Sequence, residues 1–141
     1  MKSRISFNSS FGGVRLELCV CLLLIAVVLV IYHPVGGYKF INFDDTQYVV
    51  ENDTVIRGLT VEGIRWAFET MHAANWHPLT WLSYMLDVEL YGMNAGAHHL
   101  TNMLLHMLNS ILLFLLLRRM TGAMWRSAMV AALFAVHPLH V

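Results

Sequence analysis

The sequence predicts an all-α membrane protein: three transmembrane helices and a long outer loop with short membrane-surface helices. Three observations predict it. Of the 141 residues, 57% are hydrophobic and 13% charged, about half of the roughly 25% charge found in soluble domains. The apolar residues are gathered in long runs, which suit a bilayer better than an aqueous core. The basic residues form two clusters that fall on one side of the membrane if the chain crosses it three times.

Residues 1–13 form a cytoplasmic N-terminus with Lys2 and Arg4. Residues 14–32, VRLELCVCLLLIAVVLVIY, form the first span, long enough for about 30 Å of hydrocarbon. A cleaved signal peptide shares a basic start and an apolar run. Here no small-x-small pattern follows the run directly, so the segment reads as an uncleaved anchor. Cys19 and Cys21 lie inside it, two residues apart. They are read as small core or lipid-facing side chains and say nothing of redox compartment.

Residues 33–99 form an extracytoplasmic loop, too long for a simple connection. The stretch PVGG (34–37) breaks the first span. Thr60 is the expected N-cap of a helix whose apolar face is Ile64, Phe68 and Met71. Pro78 suits the first turn of a second helix, which shows Leu79, Leu82, Leu86 and Leu90 on one side and stops at Gly92. With Trp66, Trp76, Trp81 and Tyr84 among them, both helices are expected on or near the outer membrane surface. Packing against the transmembrane bundle alone is the competing expectation. NDT (52–54) is a glycosylation sequon of little weight. Residues 100–117 form the second span, 118–122 a cytoplasmic turn, and 123–141 a third, short span with Arg126 near its start.

Orientation follows from charge. Lys2 and Arg4 precede the first span and Arg15 stands at its start, while Arg118 and Arg119 lie between the second and third, with Arg126 near the start of the third. The 33–99 loop holds Lys39, Arg57 and Arg65 against eight acids. A cytoplasmic N-terminus satisfies both clusters, and the loop then faces outward. The formal net charge of zero gives no electrostatic case for nucleic acid.

Three groups of residues bear on chemistry. Asp44 and Asp45, in FINFDDTQYVVEN, stand at the outer mouth of the first span. Adjacent residues point in different directions, so one carboxylate can face a site while the other holds it. Such an acid could serve as general base for a hydroxyl or hold a divalent cation; it could equally be a solvated turn. His99, Asn102, His106 and Asn109 form one helical stripe, with interhelical hydrogen bonding expected of the asparagines. A polar stripe in a span also suits a transport pathway. The third group is His137 and His140, in HPLH. The histidines at 72, 77, 98, 99, 137 and 140 all fall on the outer side, and that convergence points to a site. Zinc spacing is absent, so no metal ligands are assigned.

The blocks FINFDDTQYVVEN, GLTVEGIRWAF, NWHPLTWLSYMLDVELYG, HHLTNMLLHMLN, LRRMTGAMWRSA and VAALFAVHPLHV occur in this order. From about residue 35 onward they resemble the N-terminal part of membrane proteins that carry C-terminal tetratricopeptide repeats, within the protein O-mannosyltransferase clan of C-type glycosyltransferases. The resemblance implies a larger core of about a dozen spans. It implies transfer of a sugar, mannose foremost, from a polyprenyl-phosphate carrier to a protein hydroxyl on the outer face. It maps the family's acidic pair onto Asp44 and Asp45, one of them the base, and leaves Trp76, His77, His99, His137 and His140 as candidates for binding substrate and receiving the lipid phosphate. The expected partners are the lipid-linked sugar, an acceptor protein and membrane lipid; a divalent cation is the one cofactor considered. The chain stops at Val141 where the family continues, so it is read as an N-terminal fragment, with activity expected of the longer protein. A non-catalytic scaffold, recruiting partners through repeats beyond this segment, is the alternative. The expected setting is a bacterial inner membrane, or the endoplasmic reticulum if the source is eukaryotic.

Overall fold

A computed structural model describes residues 8–41 and 43–137, and among these every regular element is helical. They fall into two compact units: a bundle unit of Met1–His33 with Asn102–Val141, and a loop unit of Pro34–Thr101.

The bundle unit is built from α1 (Asn8–Tyr32), the larger part of α5 (Ala95–Thr121) and α6 (Met124–Val136). Two helical stretches are long and apolar enough to cross a membrane, with mean hydropathies of 2.9 and 1.9 in their most apolar windows. Only 17% and 22% of those windows is buried, whereas the core helix of a soluble protein would be mostly covered. The molecule is therefore membrane-like in its helices. At 13 residues, α6 spans about 20 Å, short of the roughly 30 Å of hydrocarbon.

The buried positions recur one turn apart, as helix geometry requires. On α1 they are Val20, Leu24, Val28 and Tyr32; on α5, Met103, His106, Ser110 and Phe114; on α6, Ser127, Ala131 and Ala135. The small residues of α6 let it lie close against α1, its principal neighbour.

A buried hydrogen bond joining α5 to α6 is made by His106. Its Nε2–H donates to the Ala135 carbonyl at 3.0 Å, its ring stacks on Phe134 and meets Tyr32 edge-on, and Ser110 donates to its carbonyl at 2.8 Å. Asn109, expected to bond between helices, is exposed instead. The polar stripe read along α5 is thus broken: its most buried member is a packing histidine, which leaves the transport reading without support. At the other end Gly122 closes α5 in the left-handed region, φ +69°, and donates to the Arg118 carbonyl at 3.0 Å, a C-cap that favours glycine. Arg118 also meets Glu17 of α1 at 3.2 Å. Both side chains are about 30% exposed, so the pair sets register more than stability.

The loop unit runs from a 3₁₀ turn (His33–Gly37) through a π-helical turn (Thr46–Val50) to α2 (Asp53–Ile56), α3 (Val61–Glu69), a 3₁₀ turn (His72–Ala74) and α4 (Pro78–Tyr91), and then into the first turns of α5. Thr60 caps α3 as expected, its Oγ1 accepting from Gly63 N at 2.9 Å. Pro78 opens α4 and Gly92 closes it. Asn52 is 6% exposed and its Oδ1 caps α2 by accepting from Thr54 N and Val55 N. The side chain of the NDT sequon is thus committed to the fold and offers no glycan acceptor.

The core of this unit is Val49, Val55, Ala67, Trp81 and Met85, with Phe40, Tyr48, Trp66, Leu82, Tyr84 and Val88 packed around it. The stripes read from the sequence point the other way. Ile64 and Phe68 on α3, Met71 beyond its end at Glu69, and Leu79, Leu86 and Leu90 on α4, are all exposed; only Leu82 turns inward. Each helix therefore gives one face to the aromatic core and leaves its aliphatic face uncovered within the unit.

Gly96, in the first turn of α5, sits against the backbone of Gly36. A Cβ there would lie 2.1 Å from the Gly36 carbonyl oxygen and 3.0 Å from its carbon, which rigid backbone cannot accommodate. Gly96→Ala should therefore push the 34–37 turn away from α5 and destabilise the loop unit by about 1–3 kcal/mol. A melting temperature equal to wild type for the detergent-solubilised protein would show the crossing to be looser than it stands.

Candidate functional site

The acidic pair lies in the helical turn that leads into Thr46–Val50. Asp45 accepts a hydrogen bond from the Ile41 amide on Oδ2 at 2.9 Å, closing the turn on itself. The Asp44 side chain is exposed and free to meet a ligand. The two neighbours thus divide labour, one holding the turn and the other facing out.

What places this turn is the aromatic core beneath it. Tyr48, on the π-helical turn, stacks on Trp81 with ring centres 5.0 Å apart and planes at 26°. Trp66, His72, His77 and Tyr84 surround the same indole, between 4.8 and 6.3 Å from it. Burial first, then the charges of Asp45 and Asp44, raise the Tyr84 phenol above its ordinary range. A neutral phenol therefore stands within electrostatic reach of both carboxylates.

Beside the turn, the segments 36–41 and 93–96, with Thr46 and Val50, enclose an open cavity of ≈ 580 Å³. Among the described residues that line it, Tyr38, Lys39, Thr46 and Asn94 carry polar side chains, and Lys39 is the cation. Asn94 Oδ1 also accepts from Ala97 N at 3.2 Å, fixing the entry to α5. A cavity with a cation, an amide and a hydroxyl next to an exposed carboxylate can hold an anion and a hydroxyl at once.

The histidines do not form one cluster within the loop unit. His72 and His77 pack around Trp81, and His77 Nε2 is buried without a hydrogen bond. His98 and His99 pack on Phe40, and His99 Nε2 lies 3.5 Å from the Lys39 carbonyl, next to the cavity. Trp76 is 60% exposed, its Nε1–H spent on the Phe68 carbonyl at 2.9 Å, so the indole offers a purely apolar face. His137 belongs to the bundle unit, where its carbonyl accepts from Tyr32 Oη at 3.2 Å. His140 lies outside the described residues. Among those residues no group of three His, Cys, Asp or Glu side chains is gathered as a metal site.

Sequence reasoning missed Tyr84, Asn94 and Asp87. Asp87 carried a signal: it and Glu89 are the two acids of a leucine-rich helix, a setting in which an acid on the inward face calls for partners. It is 2% exposed and accepts from Thr101 Oγ1 at 2.8 Å.

Comparison with known proteins bears out the resemblance read from the sequence blocks. The chain is 38% identical over 66 residues to the protein O-mannosyl-transferase Tmtc1 of Drosophila melanogaster, an alignment covering 47% of this chain and 8% of that protein. It is 28% identical over 128 residues to the protein O-mannosyl-transferase Tmtc2 of the same organism, covering 85% of this chain and 14% of that protein. The chain therefore spans only a small part of the length of either relative. No family model matches it, and no solved structure does.

Proposed function

We propose that this chain is the N-terminal part of a membrane glycosyltransferase, which moves a sugar, mannose foremost, from a polyprenyl-phosphate carrier to a protein hydroxyl on the outer face. The observation that carries the reading is the exposed carboxylate of Asp44, on a turn fixed by Asp45, beside a cavity lined by the Lys39 cation. The similarity to two protein O-mannosyl-transferases gives that arrangement its chemistry.

In this reading Asp44 takes the proton of the acceptor hydroxyl as its oxygen attacks the anomeric carbon. The bond from that carbon to the phosphate oxygen breaks, and the lipid phosphate leaves with the electron pair. Lys39 and His99 line the place where the phosphate's charge is met. Trp76 gives its apolar face to the lipid or sugar, while His77 supports the acid-bearing turn through Trp81. His137, the C-cap of α6, and His140, outside the described residues, remain candidates read from the sequence for the phosphate role. A divalent cation would find two adjacent carboxylates here and would need the phosphate oxygens to complete its shell.

The topology proposed with this function has a cytoplasmic N-terminus, spans at 14–32 and 100–117, and a third at 123–141, of which 138–141 lie outside the described residues. The 33–99 loop then lies outside, its uncovered aliphatic faces toward lipid. Relatives from an animal favour the endoplasmic reticulum membrane over a bacterial inner membrane.

The test is direct. Membranes bearing the full-length protein should move radiolabel from polyprenyl-phosphate mannose onto a serine- or threonine-bearing acceptor. No consumption of the lipid-linked sugar, with partner proteins still co-purifying, would replace this reading with the scaffold.

A further inference from the structure

Asp87 of α4 and His98 of α5 face each other inside the loop unit, 2% and 3% exposed. The Asp87 Oδ1 is occupied by the Thr101 hydroxyl at 2.8 Å. His98 Nε2 lies 3.0 Å from the Gly92 carbonyl; a carbonyl only accepts, so that nitrogen carries the hydrogen. The two remaining atoms, Asp87 Oδ2 and His98 Nδ1, are buried and lack any hydrogen bond. They stand 3.9 Å apart. An ionised carboxylate opposite the bare Nδ1 of a neutral imidazole would set two lone pairs against each other in a dry site. One proton between them removes the conflict.

We propose that Asp87 is protonated in the folded protein, turns its Oδ2–H toward His98 Nδ1, and through His98 and Phe40 positions Asp45. With the proton on Asp87 the two lone pairs no longer oppose each other and no charge is buried, the cheaper arrangement in a low dielectric; a full hydrogen bond needs the 3.9 Å gap to close by about 1 Å. Burial raises the Asp87 carboxyl above its ordinary range, opposed by the Thr101 hydrogen bond and by His98. The mechanical link is contiguous. The His98 ring meets Phe40 edge-on at 5.4 Å, Phe40 packs on the core, and the next residue, Ile41, donates to Asp45 at 2.9 Å. His98 also pins Gly92, at the junction from which Asn94 enters the cavity.

The charged and titratable groups that bear on this pair are few. On α4 itself Tyr84 feels Asp87; from α5 only His98 does, Thr101 being neutral. The sign follows from the raised carboxyl. The folded protein binds a proton that the unfolded chain has released above the carboxylate range. This stabilisation is present in full at low pH and fades as pH rises through the folded value.

The positioning role rests on the transferase reading; the protonation does not. The test uses full-length protein in detergent, with Asp87→Asn and Asp87→Ala. Asparagine keeps the shape, accepts from Thr101 and donates an N–H to His98, so it should retain sugar transfer within about threefold, while alanine loses more than about tenfold. The wild-type minus Asp87→Asn infrared difference spectrum at pH 7 should contain the carbonyl stretch of a protonated carboxyl, shifted in D₂O. A spectrum showing only ionised carboxylate overturns the protonation, whether or not the protein transfers sugar. Equal losses for asparagine and alanine overturn the positioning role. If wild type transfers nothing, the functional reading fails and the infrared band still decides the proton.

Discussion

Asp44→Asn in the full-length protein should lower the rate of sugar transfer by about 10²–10⁴-fold, the usual contribution of a positioned general base. Insertion and folding should be untouched, because the Asp44 side chain is exposed and holds no part of the turn. Asp45 should behave differently. Its Oδ2 accepts from the Ile41 amide, and asparagine can still accept there through its own carbonyl oxygen. Asp45→Asn is therefore expected to keep more activity than Asp44→Asn, whereas Asp45→Ala, which frees the turn, should approach the Asp44 loss. The check is the initial rate of label transfer for all three variants, with resistance to alkaline extraction as the control for insertion. An Asp44→Asn protein that transfers sugar at the wild-type rate would remove Asp44 from the mechanism. A reversal, with Asp45→Asn dead and Asp44→Asn active, would exchange the two roles.

How far the sequence could be read depended on whether a signal was local. Thr60, Pro78 and Gly92 declare helix ends through their own backbone chemistry, and the structure has α3 and α4 begin or end there. The two long apolar runs needed only length and composition. What could not be read was which face of a short helix turns inward. Leu79, Leu86 and Leu90 read as one apolar side of a helix at the membrane surface or against the bundle, and that reading does not say what fills the core. Here the core is aromatic, organised around Trp81, and the leucines are left outside. In a chain that meets lipid, an exposed leucine carries no penalty, so hydrophobicity alone no longer distinguishes inside from outside. The partners of Asp87 were hidden for another reason. Thr101 is fourteen residues away, and a buried acid is recognised by what folds against it. Histidine suffered similarly: the sequence places most of them on one side, but whether a ring binds or packs depends on neighbours such as Phe40 and Trp81.

Trp81→Ala should destabilise the loop unit by about 3–5 kcal/mol, the range for deleting a large buried aromatic side chain. Trp81 is fully buried and touches five other rings: Tyr48, Trp66, His72, His77 and Tyr84. These rings come from the π-helical turn, α3, the following 3₁₀ turn and α4 itself, so one deletion loosens several elements together. No single neighbour can move in to fill the space without leaving another gap. The damage should reach the acids. Tyr48 stacks on this indole and sits on the turn that Asp44 and Asp45 begin, so its loss of support frees the carboxylates. Trp81→Phe is the discriminating companion. The indole Nε1 is buried without a hydrogen bond, so phenylalanine removes an unsatisfied donor while keeping a ring at the centre. Its cost should therefore fall well below that of alanine. Limited proteolysis within residues 33–99, followed against temperature in membranes, reads the stability of this unit separately from that of the spans. Both variants as resistant as wild type would mean that the aromatic core does not hold the loop. Transfer lost in Trp81→Ala but retained in Trp81→Phe would show that the acids depend on the ring beneath them, not on the indole nitrogen.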